Sequence, residues 1–145
     1  MQALESLYQS LAYEDQLGNE LGKAEVYGNI GVIFYYQSDY EKSLNYLKLA
    51  LDVYLKENDE VGIIQAYNNI GGINVVMGQV DSALFYYQKS LLRAEASNDE
   101  DEISMALSNM AGLYKSQGKY AKAEELLQRA IGISESINDY RGLTL

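Results

Sequence analysis

The stretch Tyr27-Gly28-Asn29-Ile30-Gly31 returns as Tyr67-Asn68-Asn69-Ile70-Gly71 and again as Leu107-Ser108-Asn109-Met110-Ala111, 40 residues later each time. A fixed period of this size is incompatible with one globular core. Each period is a supersecondary unit that buries its apolar face only against its neighbours, so the units must stack in a row. A stacked array presents long continuous faces, and the work that suits such faces is holding another polypeptide.

The period is helical. Ala3, Leu4, Leu7, Ser10 and Leu11 align with Ser43, Leu44, Leu47, Ala50 and Leu51 at the three-and-four spacing of a buried stripe, which predicts a helix over 3–17. Gly18, Asn58, Asn98 and Asn138 share one position of the period, and Asn19, Asp59, Asp99 and Asp139 share the next. Gly and Asn tolerate the left-handed turn that closes a helix, and Asp and Asn cap the start of another, so each pair is a stop followed by a start. At the third junction Glu102 stands three residues after Asp99, the spacing of a capping box. The acidic run 99–102 lacks the alternating ligands and central Gly of a calcium loop and is read as capping and solvation.

First helices are therefore expected near 22–37, 62–77 and 102–117, and second helices near 40–57, 80–97 and 120–137. Tight turns at Ser38-Asp39, Gly78-Gln79 and Gly118-Lys119 join them. The whole chain, 1–145, reads as one array: 1–21 is the second helix of an incomplete repeat, 22–61, 62–101 and 102–141 are complete repeats, and 142–145 starts a further one. Small residues (Gly31, Gly71, Ala111; Ser43, Ala83, Ala123; Ala50, Ser90, Ala130) mark close helix approach. Large ones (Tyr27, Tyr67, Leu107; Ile30, Ile70, Met110; Leu47, Tyr87, Leu127) fill the space between them. Most of the tyrosines, Tyr40, Tyr46, Tyr87 and Tyr120 among them, are expected as core filling.

Composition removes much chemistry. With neither Cys nor His there is no disulfide framework, no thiolate or imidazole zinc site, no Cys-His nucleophile and no Ser-His-Asp triad. Glu124-Glu125 has no positioned base, nucleophile or phosphate-cradling loop beside it, so an enzyme is not expected, and no cofactor or metal is implied. No apolar run is long enough to span a bilayer, and the first residues lack the basic and apolar regions of a signal peptide, making the cytoplasm the default location. The net charge is −10, and all of it lies in residues 1–101, where 16 acids face 6 bases, while 102–145 carry 5 of each. Such a surface repels nucleic acid and anionic membranes and favours a neutral or basic partner.

In the last unit Leu107, Ala111, Tyr114, Gly118, Tyr120, Ala123, Leu127 and Ala130 follow, in order, the small-and-large signature of the tetratricopeptide repeat, and the chain resembles that family over essentially its whole length. The period exceeds the commoner 34 residues. The usual Pro near the end of the second helix is missing, with Leu55, Glu95 and Glu135 close to that place, so the second helix runs longer. Long repeats of this kind look most like the Leu-Gly-Asn repeat adaptors of spindle orientation, and are similar to kinesin light chain repeats and bacterial Rap-type peptide-sensing regulators. The resemblance implies an all-α fold, a right-handed superhelical solenoid of antiparallel helix pairs, whose concave face of first helices holds a peptide. The carboxylate clamp of chaperone-binding members needs several basic residues in the groove. Only Lys115 occupies such a position, which disfavours acidic tails.

The candidate site is the row Asn29, Asn69 and Asn109. Asn has no virtue in mid-helix, yet it recurs while its predecessor varies from Gly28 to Asn68 to Ser108. An amide can both give and accept a hydrogen bond with a peptide backbone, so the row could grip an extended ligand whatever its sequence. Alternatively each Asn ties adjacent repeats together. Around the row, Glu25, Val32, Tyr35 and Tyr36, then Gln65, Asn68, Gly72, Val75 and Val76, then Met105, Ser108, Gly112 and Lys115 are expected on the same face. Asn74 stands where Phe34 and Tyr114 stand in the other units and either marks a groove feature or, the reading preferred here, is bonded to a neighbouring backbone carbonyl.

These readings predict a non-catalytic scaffold for protein–protein interaction that binds a peptide or partner segment in its groove. The alternative is the ligand-sensing segment of a larger bacterial regulator, such as a peptide-responsive transcription factor, phosphatase or sensor kinase. Leu4, Leu7 and Leu11 at one end and Ile131, Ile133 and Ile137 at the other are apolar side chains of uncapped repeats. They predict a homodimer or end-to-end self-association.

Overall fold

A computed structural model describes residues 1–142, with side chains described as far as Ser136. Its described residues form seven α-helices and no strand: α1 Gln2–Leu17, α2 Glu20–Tyr36, α3 Tyr40–Glu57, α4 Glu60–Val76, α5 Val80–Ser97, α6 Glu100–Ser116 and α7 Tyr120–Gly142. The array is an all-α helical-repeat solenoid. Helices pair most closely as α2 with α3, α4 with α5 and α6 with α7, and each pair docks on the next through α3 with α4 and α5 with α6. Helices of 17 and 18 residues with their two short turns account for the period.

The stop-and-start junctions form as expected. Gly18, Asn58 and Asn98 adopt left-handed conformations with φ of 64°, 54° and 55°. The side chains of Asn19, Asp59 and Asp99 accept hydrogen bonds from the backbone N–H groups of Gly22, Gly62 and Glu102 at 3.1, 3.3 and 3.1 Å. First helices begin directly after these caps, two residues earlier than the sequence boundaries. The capping box is only half made. Glu102 does not reach back to the Asp99 N–H, which bonds Ala94 O instead, because its carboxylate accepts from Asn68 of the preceding repeat.

Close approach falls where the small residues stand. Ser43 Oγ donates to Gly31 O at 2.7 Å and Ser90 Oγ to Ile64 O at 3.2 Å, both in fully buried surroundings. A Cβ on Gly71 would lie 2.6 Å from Tyr87 Cε1, so only hydrogen fits there. Ile30, Ile70 and Leu107 are completely buried. Asn74 is buried and donates to Ile70 O at 2.7 Å, as read from the sequence. Leu4, Leu7 and Leu11 of α1 pack against Val26, Ile30 and Phe34.

Three expectations on α7 need correction, and they share one cause. Tyr120 and Leu127 are exposed, although Tyr40 packs into a core cluster and Leu47 and Tyr87 are buried. The helix also runs through Asn138-Asp139 to Gly142 instead of stopping at 137. On α3 and α5 the corresponding faces are covered by α4 and α6, and no described helix follows α7. A left-handed turn at a non-Gly residue costs roughly 1–2 kcal/mol and is offset by the helix that docks after it. Without one among the described residues, continuing the helix gains a hydrogen bond per residue. The further repeat expected from 142 falls, from 143 onward, outside the described residues.

Candidate peptide-binding groove

First helices α2, α4 and α6 lie in register, so residues at one position of the period line up across them. Two adjoining cavities open on the face they share. One, of about 370 Å³, is bordered by Val32, Tyr35 and Tyr36 of α2, Asn68, Asn69, Gly72 and Ile73 of α4, and Met105 and Asn109 of α6. The other, of about 320 Å³, is bordered by Glu25, Gly28, Asn29 and Val32 of α2 and Gln65, Ala66 and Asn69 of α4. The Asn row thus runs along both, and Asn69 and Val32 belong to each. Eleven of the sixteen residues expected on this face border the two cavities, Gly112 being among those that do not. Val75, Val76, Ser108 and Lys115 are exposed beyond the cavity rims.

Sequence reasoning missed the floor. Leu47, Ser43 and Tyr87 underlie the first cavity and Leu47, Ala50 and Tyr54 the second, all from second helices. They are reachable because first helices carry Gly between their groove positions: the space a Cβ on Gly72 would fill is 3.8 Å from the Tyr87 hydroxyl. The Gly residues at groove positions were the available signal: Gly72 and Gly112 were expected on this face, but the second-helix floor was not. Burial raises the Tyr87 hydroxyl pKa, and burial, with the Glu25 and Asp59 charges adding, raises that of Tyr54. Both hydroxyls therefore stay protonated at neutral pH and can donate.

Asn29 and Asn69 are exposed and Asn109 half-buried. None of the three makes a side-chain hydrogen bond to another described residue. The tie between repeats is made by the neighbouring Asn68, whose Nδ2 donates to Glu102 Oε2 at 3.0 Å and approaches Met105 Sδ at 3.9 Å. Burial pushes the Glu102 carboxyl above the usual carboxylate value and the Asp99 and Asp101 charges add to this, while the Asn68 hydrogen bond opposes it. Tyr35 and Tyr36 meet edge to face with centroids 5.5 Å apart, forming an aromatic rim above the cavity.

The repeat geometry, seven helices stacked in antiparallel pairs, has its counterpart in sequence families. The tetratricopeptide repeat matches residues 62–136 and matches again over 24–58. The chain belongs to the tetratricopeptide repeat family. Among curated protein sequences none matches it. Solved structures with the same fold include BtubC (BKLC) from P. vanneervenii, 24% identical with a TM-score of 0.81 over 92% of this chain and 56% of that one. Aspartyl phosphate phosphatase F from Bacillus subtilis is 21% identical, TM-score 0.83, over 97% of this chain and 37% of that one. A Rap protein complexed with competence and sporulation factor is 23% identical, TM-score 0.83, over 95% and 39%. The chain spans little more than half of BtubC and under two-fifths of the other two, so the likeness is one of fold. A tetratricopeptide array is a protein-interaction scaffold, a fold generally without catalysis of its own, and no described helix is long and apolar enough to cross a membrane.

Proposed function

We propose that this tetratricopeptide array binds an extended segment of another polypeptide along the face of α2, α4 and α6. The observation that carries the reading is the Asn row: three amides at one period, bordering two adjoining cavities, with no partner among the protein's own described groups. Amides spaced by one repeat can exchange paired hydrogen bonds with a peptide backbone, while apolar walls such as Val32 and Ile73 accept side chains. A Rap protein of similar fold is complexed with competence and sporulation factor, which supports a binding role for an array of this kind. The acidic surface favours a neutral or basic segment.

A random-octapeptide display library selected on this chain supplies the ligand. Asn69→Ala should then weaken the selected peptides by about 1–3 kcal/mol, measured by fluorescence anisotropy. Unchanged affinity with lowered thermal stability would assign the row to holding repeats together instead. We also propose self-association through exposed apolar side chains, supported by Ile131 of α7 and by Met1 and Tyr8 at the start of the described chain. Light scattering over a concentration series should show a mass above the monomer, and a constant monomeric mass at high concentration would refute it.

A further inference from the structure

Gly72 sits in the interior of α4, where Gly is the least favourable residue short of Pro. Neither the backbone nor the packing asks for it. Its φ is not left-handed, and a Cβ there would have only the Tyr87 hydroxyl of the neighbouring helices within 4 Å, at an ordinary contact distance of 3.8 Å. The same position of α2 holds Val32. What Gly72 does is leave the first cavity open to its floor, where Leu47, Ile73 and Tyr87 are buried. Four apolar side chains border the same cavity while held 38% to 80% exposed: Val32, Tyr35, Tyr36 and Met105. An exposed apolar cluster around a concave site marks a surface that a partner covers. No charged side chain among the described residues borders the cavity, although the chain carries a net charge of −10. A charged group entering it would lose water without gaining a counter-ion.

We propose that this cavity takes one large apolar side chain of the bound polypeptide, a leucine, methionine or aromatic, and that Gly72 is the specificity-determining position that admits it. The volume of about 370 Å³ lies within the range of pre-formed binding pockets, about 300–1,000 Å³. The entering side chain passes over Gly72 and buries its far end against Leu47 and Ile73, framed by the Tyr35 and Tyr36 rings. Bulk at position 72 fills that path first. Binding energy concentrates on such a buried anchor while the rim around it excludes water. The second cavity differs, since Glu25 borders it. The inference rests on the reading that this face binds a polypeptide, and it specifies the side chain that anchors it.

The octapeptide selection tests both separately. The expected binders share a large apolar residue at one register, and replacing it by alanine should cost about 10-fold in affinity, about 1.4 kcal/mol. Gly72→Ala should raise the urea midpoint, because Ala is the better helix former, and at the same time weaken the binders by about 3-fold or more. Gly72→Val should weaken them by about 10-fold, and in that protein the alanine-replaced peptide should bind within about 3-fold of its parent, since the space it left is already filled. Gly112→Ala is the control. It borders neither cavity and nothing lies within 4 Å of its Cβ position, so it should gain stability and leave affinity unchanged. A thermal melt establishes that each variant folds. Binders without a shared apolar position, Gly72 variants that bind as tightly as the parent, or an equal loss in Gly112→Ala would overturn this inference while leaving the groove reading intact. Binders indifferent to Asn69→Ala, or a selection that yields none, would overturn the groove reading and this inference with it.

Discussion

Gly71→Ala isolates the close approach of α4 to α5. In an exposed helix interior this substitution stabilises by about 1 kcal/mol, since Ala is the better helix former. Here the added Cβ would meet Tyr87 Cε1 at 2.6 Å and Cδ1 at 2.7 Å. Ordinary contact needs roughly another ångström, and the ring is only 5% exposed, with Met110, Ala111 and Ala123 among its cluster. Either the ring leaves its place or the helices separate, an overpacking cost at the upper end of about 1–3 kcal/mol. Subtracting the helix preference leaves a net loss of about 2 kcal/mol. The sister units show the remedy. A Cβ on Gly31 would lie 3.1 Å from Leu47 Cγ, against 2.6 Å from the Tyr87 ring at Gly71, so Leu as partner leaves more room than Tyr, and the third unit carries Ala111 with Leu127 at the matching position. Tyr87→Leu in the Gly71→Ala background should recover part of the loss, a coupling of about 1 kcal/mol or more in a double-mutant cycle. Urea unfolding followed by circular dichroism gives each term from the midpoint at constant slope. A stabilised Gly71→Ala single variant, or additive substitutions, would refute the close approach.

Ser38 holds a left-handed φ of 62° where Gly78 and Gly118 stand in the other units, so Ser38→Gly should stabilise by up to about 1 kcal/mol; a loss on urea unfolding would contradict this. The Glu102 carboxyl binds its proton more tightly in the folded chain than in the unfolded one, whose value is the ordinary 4.5. Its contribution therefore favours folding at pH below 4.5 and is lost as pH rises through the higher folded value. Glu102→Gln should accordingly raise stability at neutral pH and flatten the pH dependence just above 4.5, as thermal melts over a pH series would show. An unchanged pH profile would mean that burial does not strain this carboxyl.

Much of the architecture was legible because it repeats. Three copies of one pattern locate Asn58 and Asn98 as helix stops and Asp59 and Asp99 as starts through local chemistry alone, since the left-handed turn and the cap each involve only neighbouring residues. Periodicity alone likewise places Asn29, Asn69 and Asn109 on one face. The errors fell where periodicity breaks. Tyr120 and Leu127 carry the pattern of Tyr40 and Leu47 but not their surroundings, because burial belongs to the neighbour that covers a face and not to the residue itself. Glu102 fitted a capping box by spacing, yet its carboxylate serves Asn68, 34 residues away in sequence, a choice only packing can make. The cavity floor of Leu47 and Tyr87, and the buried oxygen of Asn68 that no described group answers, arise from helices brought together across repeats. Local sequence determines which backbone groups are capped and which side chains share a helix face. What those faces enclose, and which polar atom is left there unanswered, depends on distances between helices, which only the tertiary structure sets.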